Sequence, residues 1–231
     1  MAASDSVSAT LAAGVTLIPS ADLVASPWKN GGGVTREIAA YVPQKPDGTT
    51  ALDAFVWRVS VADVAQAGPF SRFPGIDRTL VLLSGAGMWL DEPSTDDTQP
   101  TKTHALNQPL DIARFTGEAS IDARLADGAT RDFNLMVRRD AAHGEMDVWR
   151  GARQCTLTAD AVLLYCANGP AFVRLGDAQA VQMQTGDTLR IDAPKGLQCE
   201  VEGSANTDAP GALLAITLRY TPRSTPRSTS R

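Results

Sequence analysis

Few residues in this 231-residue chain are grouped so that they could do chemistry. The densest group is SPWKNGGGVTREIAAYV, residues 26–42. There Trp28, Lys29 and Asn30 stand directly before Gly31, Gly32 and Gly33, and a strand carrying Arg36 and Glu37 follows. A stacking plane, a cation and an amide thus precede glycines that let a ligand or another backbone come close. A Walker-type phosphate loop is excluded. That loop reads G-x-x-x-x-G-K-[ST] and opens a helix, whereas Lys29 precedes the glycines and VTREIAAYV has the β-branched character of a strand. A glycine turn or bulge with positive φ explains the backbone here, but not the three residues in front of it.

Arginines supply the other chemistry. Arg58 and Ser60 lie in AFVWRVSVADV, Arg78 ends GPFSRFPGIDR, and Asn134 sits in DFNLMVRR. A guanidinium is a permanently charged planar fork of donors that suits a carboxylate. Arg58 stands in a strand that is otherwise nearly uncharged and reads as buried on both faces, so it needs an anion. Glu37 or Asp77 would make it structural; a ligand carboxylate would make it functional. Asn134 fits either a ligand amide or the capping of backbone groups at a strand end. Phe70 and Phe73 read as plugs at the mouth of a barrel. Arg138 and Arg139 alternate in direction, so at most one points inward. Nucleophilic chemistry is poorly served. Cys155, Cys166 and Cys199 form no CxxC pair, and only His104 and His143 could act as a base. His104 follows a polar loop and is expected in solvent; His143 lies in an expected linker.

The elements that must hold these residues are strands. From Ala54 to Val64, Phe55, Trp57, Val59 and Val61 alternate with Val56, Arg58, Ser60 and Ala62, a period of two. RTLVLLSGAGMWL breaks at Gly85-Ala86-Gly87 and resumes. PLDIARF, ASIDARL, RDFNLMVRR, AVLLYCANG, PAFVRLG, AVQMQTGDTLRID, QCEVEG and ALLAITLRY follow as short strands. Helical periodicity is confined to single turns at 20–26 and 63–67. Many short strands in two halves of similar texture predict two sandwiches or barrels, with the break in DAAHGEMDVWRGAR, residues 140–153. Residues 91–102 read as a polar loop and 221–231 as a disordered tail.

Composition narrows the function classes. The chain is 43% hydrophobic and carries a net charge of −5, which disfavours a nucleic-acid partner. No apolar run is long enough to span a bilayer, so no membrane role is expected. The N-terminus has no basic region of the secretory kind, and the unpaired cysteines suit reduced thiols in the cytoplasm.

WKNGGGVTREIA, WRVSVADV, GPFSRFPGIDRTLVLLSGAGMWL and DFNLMVRR, in this order and spacing, resemble the HutD/Ves family. The resemblance implies an all-β bicupin: a first cupin (jelly-roll) barrel over 15–140 and a second, degenerate one over 146–220. It also implies a cytoplasmic bacterial protein that modulates histidine utilisation, and attaches no secure reaction. Metal-dependent cupins bind through an HxH pair, a glutamate and a further histidine. Aligned by eye, Arg78 falls near the glutamate's place and Cys199 near that of the last histidine, so neither a metal nor another cofactor is expected.

Together these readings predict a metal-independent cupin pocket lined by Arg58, Ser60 and Arg78, with Trp28, Lys29, Asn30 and Arg36 at its edge and Asn134 beside them. Its partner would be a small carboxylate, urocanate or formylglutamate being the first to test. The alternative is a metal-free isomerase or lyase with Glu37 or Asp77 as acid/base. A third possibility is a purely structural partner of another pathway protein. No site is expected in the second barrel. Pairing through the edge of ALLAITLRY would give a homodimer.

Overall fold

Alternation along the chain decides which faces are buried, and burial decides the layers. In Thr130–Arg138, Phe133, Leu135 and Val137 enter one core while Asp132, Asn134 and Met136 face the other way. A computed structural model describes residues 14–43, 55–94, 100–202 and 211–222. Among these the chain is built of antiparallel strands, with one 3-10 turn at Ser20–Asp22. The all-β architecture predicted from the patterning is what the chain adopts, its strands forming four antiparallel sheets that pack as two facing pairs.

The first unit holds a six-stranded sheet in the order Ala25–Pro27, Gly33–Tyr41, Trp57–Val64, Thr130–Arg138, Ile76–Ser84, Ile112–Thr116. Opposite lies a four-stranded sheet ordered Gly68–Pro69, Asp122–Leu125, Met88–Glu92, Lys102–Leu106. The second unit repeats the plan. Its five-stranded sheet runs Val15–Ile18, Thr188–Asp192, Ala161–Asn168, Ala212–Tyr220, Ala142–Arg150. Its four-stranded sheet runs Arg153–Leu157, Leu197–Glu202, Ala171–Leu175, Val181–Met183.

Three apolar layers result. Leu80, Leu82, Met88, Leu90 and Leu106 fill the first unit, and Val162, Leu164, Val173, Met183 and Leu189 fill the second. Between the units the two larger sheets pack back to back, with Trp57, Val59, Phe133 and Leu135 against Leu163, Tyr165, Leu214 and Ile216. Trp57 donates its indole N–H to the Tyr220 hydroxyl at 3.1 Å across this seam.

Several expectations change. Val15–Ile18, expected in the first barrel, pairs with Thr188–Asp192 of the second unit. The expected linker contains the nine-residue strand Ala142–Arg150, whose small and apolar residues Ala142, Gly144, Met146 and Val148 alternate with the exposed His143, Glu145 and Asp147 and the buried Trp149. Lys102–Leu106 is also a strand, and His104 on it is largely covered, its ring centroid 5.9 Å from that of Phe115. Phe55 does not share the face of Trp57. The regular strand begins at Trp57, so Phe55 packs with Ile76 and Met136 while Val56 joins the seam. Residues 65–67 form no helical turn. Ala212–Tyr220 lies inside its sheet, bonded on both sides, so its edge is not open to a second copy. The tail beyond residue 222 and the middle of the 91–102 loop lie outside the described residues.

Leu163 is fully buried in the seam. Leu163→Ala is expected to lower the unfolding free energy by about 2–5 kcal/mol in urea denaturation. Val24→Ser, at a side chain 79% exposed, should stay within about 0.5 kcal/mol of the parent.

Candidate functional site

The polar face of the six-stranded sheet is a grid. Across neighbouring strands Arg58, Met136 and Arg78 form one row, Ser60, Asn134 and Leu80 the next, and Ala62, Asp132 and Leu82 the third. Strand spacing places the two arginine Cα atoms roughly 10 Å apart, with Met136 between them. Above this grid lies a cavity of about 560 Å³, closed on the far side by Pro69, Phe70, Ser71 and Phe73 and on its rim by residues 26–30. Lys29, Arg58, Arg78 and Asp132 are its charged lining.

The glycine run builds that rim. Gly31 adopts φ +72° and donates its N–H to Trp28 O at 3.0 Å, while Asn30 Oδ1 accepts from Gly32 N at 3.1 Å. A Cβ on Gly33 would lie 2.5 Å from Asp63 O and 3.1 Å from the Trp28 ring. The glycine therefore lets the indole settle on the backbone, where Trp28 Nε1 donates to Thr35 Oγ1 at 2.8 Å. The turn and the pocket edge are the same object.

Arg78 is the central group. It is only 6% exposed, and its guanidinium carbon lies 5.4, 5.6 and 5.0 Å from the ring centroids of Phe70, Phe73 and Phe115. Aromatic faces attract a cation but do not replace an anion. Its Nη2 donates to Asn134 Oδ1 at 3.0 Å and its Nη1 to Ser71 O at 3.3 Å; Nε has no partner. Among the described residues Arg78 forms no ion pair. Burial lowers its pKa to about 10, against the opposing pull of Asp132, so it stays charged at neutral pH.

Asn134 bridges two charges. Its Nδ2 donates to Asp132 Oδ1 at 3.2 Å while its oxygen receives Arg78. It sits within the strand, so the strand-end capping role does not apply. Asp132 is 1% exposed and its Oδ2 has no partner. Burial raises its pKa to about 7, although the Arg78 charge and the Asn134 hydrogen bond pull it down. Sequence reading passed over Asp132. The signal was there, because a period of two from Asn134 puts Asp132 on the same face.

Of the predicted residues, Trp28, Lys29, Asn30, Arg58, Ser60, Arg78 and Asn134 are brought together around the cavity. Arg36 is not. It neighbours Thr35 and Glu37, which face forward, so its own side chain lies behind the sheet, where Nη1 meets Asp63 Oδ2 at 2.6 Å. Asp63 also pairs with Arg131 at 2.6 Å, and its pKa is lowered, first by Arg131 and then by Arg36. Arg58 Nε holds Glu37 Oε2 at 2.6 Å. This pair separates the cavity from an outer groove lined by Asp22, Leu23, Val24 and Ile38. Asp77 lies outside the cavity and pairs with Arg139 at 2.8 Å. His104 and His143 stand elsewhere, each 3.4 Å from a glutamate, Glu92 and Glu145.

Asp132 makes stability depend on pH. A carboxyl that ionises near pH 3.8 when unfolded but keeps its proton to about 7 when folded binds more protons in the fold between those values. Stability therefore falls as pH rises across that window and then levels. Asp132→Asn removes the titration. Its stability relative to the parent should rise by about 2–4 kcal/mol between pH 4 and pH 8, read from urea melts at each pH.

The geometry can be set beside known proteins. The family model for HutD matches residues 20–208. An uncharacterised 21.2 kDa protein in the hutC 3′ region of Pseudomonas putida is 33% identical over 188 residues, covering 81% of this chain and 92% of that one. Protein Ves of Escherichia fergusonii is 37% identical over 122 residues, 52% of this chain and 56% of its own. The solved structure of HutD from Pseudomonas fluorescens SBW25 superposes with a TM-score of 0.71 at 29% identity, covering 90% of this chain and all of that one. An oxalate decarboxylase of Lactobacillus farciminis, at 8% identity and TM-score 0.55, covering 91% of this chain and 86% of that one, shows the cupin-like fold alone. By motif order, family match and superposition over both units, the chain belongs to the HutD family.

Proposed function

We propose that the chain binds a small carboxylate in the first-unit cavity without turning it over, and that this binding modulates histidine utilisation. The observation that carries the reading is Arg78: a buried guanidinium that faces a cavity, keeps one N–H unpartnered and, among the described residues, forms no ion pair. A ligand carboxylate would supply the missing acceptor, and its desolvation would be offset by a charge already buried. Arg58, in the same row, can exchange Glu37 for a second anionic group. The apolar collar of Phe70, Phe73 and Met136 suits a short planar or aliphatic body. Membership of the HutD family and the likeness to the P. fluorescens HutD structure support a HutD-like role. Urocanate and N-formylglutamate are the first compounds to try.

A second reading, a metal-independent isomerase or lyase, is favoured by Asp132. A buried carboxyl that titrates near neutrality at the floor of a cavity is suited to proton transfer. Glu37 and Asp77 lose that role, because both are ion-paired and neither lines the cavity.

Calorimetric titration with both compounds separates the readings. Saturable binding with unchanged ligand afterwards supports the binder; a new product by NMR supports the enzyme. Arg58→Ala should weaken binding about 10- to 100-fold, the value of a hydrogen-bonded charge. Arg78→Lys should weaken it at least as much, since an ammonium cannot reproduce the fork. No binding by the parent protein would overturn the carboxylate assignment.

A further inference from the structure

The cavity holds one group that arginine–carboxylate recognition does not use. Asp132 is buried at the cavity floor, one oxygen satisfied by Asn134 and the other by nothing. A buried carboxylate with a free oxygen is costly when ionised and inexpensive when protonated, because the proton removes the charge and turns the orphan acceptor into a donor. We propose that entry of a carboxylate into this cavity is coupled to the uptake of a proton by Asp132, so that the site binds an anion together with H⁺. The inference rests on the carboxylate-binding reading above and specifies how that site is regulated.

The coupling follows from what surrounds Asp132. The Ile76–Ser84 strand contributes Arg78, the cation that favours the ionised form, and Asn134 on its own strand links the two. The Trp57–Val64 strand contributes Arg58 on the cavity face, already held by Glu37. Asp63 of the same strand lies on the opposite face, clasped by Arg36 and Arg131, and adds a small repulsion. The rim contributes Lys29, and the opposite wall contributes only Phe70, Phe73, Ser71 and Pro69. When a ligand carboxylate takes Arg78, Asp132 loses the charge that stabilised its anion and gains a like charge nearby. Both changes favour the protonated form. By reciprocity, protonating Asp132 must strengthen anion binding by the same factor.

The burial that raises the pKa of Asp132 to about 7 places this exchange where a cell's pH lies. Among the described residues no other carboxylate lines the cavity. The histidines lie outside the lining. The site thereby distinguishes a neutral molecule of the same shape from a carboxylate, and an acidified interior from an alkaline one.

The test uses formate and N-formylglutamate, whose carboxyl groups titrate near about pH 4 and are fully ionised throughout. Titrations of the full chain are run at pH 6.5, 7.5 and 8.5 in two buffers of different ionisation enthalpy. The expected result is uptake of up to one proton per ligand, read from the buffer-dependent heat. Kd should rise with pH, by at most about tenfold per unit. An infrared difference spectrum should show the C=O stretch of a buried protonated carboxyl growing as ligand is added. Asp132→Asn should bind with no proton uptake and a flat pH profile. Saturable binding by the parent with equal heats in both buffers and a constant Kd overturns the coupling but leaves the carboxylate reading intact. Uptake that persists in Asp132→Asn overturns the assignment to this residue. Failure of formate, N-formylglutamate and urocanate all to bind overturns both readings. The buffer comparison and the infrared band are measured on the parent, so they decide the matter even where the variant folds poorly.

Discussion

A strand buried on both faces has little room for charge, and the buried centre of these strands keeps its charge on the cavity side. The part-exposed Asp63, Arg36 and Arg131 on the other face are paired with one another. Trp57, Val59 and Val61 meet the second unit; Arg58, Ser60 and Ala62 meet the cavity. The same division holds for Phe133 and Leu135 against Asp132 and Asn134. A one-residue slip in register would drive two arginines and an aspartate into an apolar seam, at a cost of many kcal/mol. The partition between seam and pocket is thus what fixes the pairing of the whole six-stranded sheet.

Within the pocket the electrostatics are left unfinished. Arg78 and Asp132 are connected through Asn134 rather than directly, and each keeps one polar atom without a partner. A direct ion pair would have neutralised both and left a structural core. Routing the contact through an amide keeps a full positive charge facing the space and holds the acid close to its titration point. Such a network is stable only because three aromatic rings and a sheet-wide apolar frame hold the guanidinium in place.

Much of this was legible in the residues. The period of two in AFVWRVSVADV put Arg58 and Ser60 on one face and Trp57 on the other, as found. The glycine run was readable as a turn that is also a pocket edge. What escaped had physical causes. Arg36 was counted with its neighbours because spacing along the chain was weighed before its face on the strand. Asp132 shares the face of Asn134 by the period of two, but alternation gives a side chain's face and not whether an acid there is buried or paired. The Ala142–Arg150 strand was obscured by Gly144 and by the exposed His143, Glu145 and Asp147 within it. Val15–Ile18 could not have been assigned to the second unit, since its partners, Thr188 to Ile191, lie far away in the chain and pairing at that range leaves no local mark.

That first strand has a consequence for how the protein can be divided. The chain begins its described course on the sheet of the second unit, then crosses to build all of the first, then returns. A cut in the region of 140–146 would strip an outer strand from one piece and bare a broad oily surface on both. The halves look like duplicated modules, yet they are threaded together as a single indivisible body. Recombination could exchange loops around the cavity far more readily than it could exchange one barrel for another.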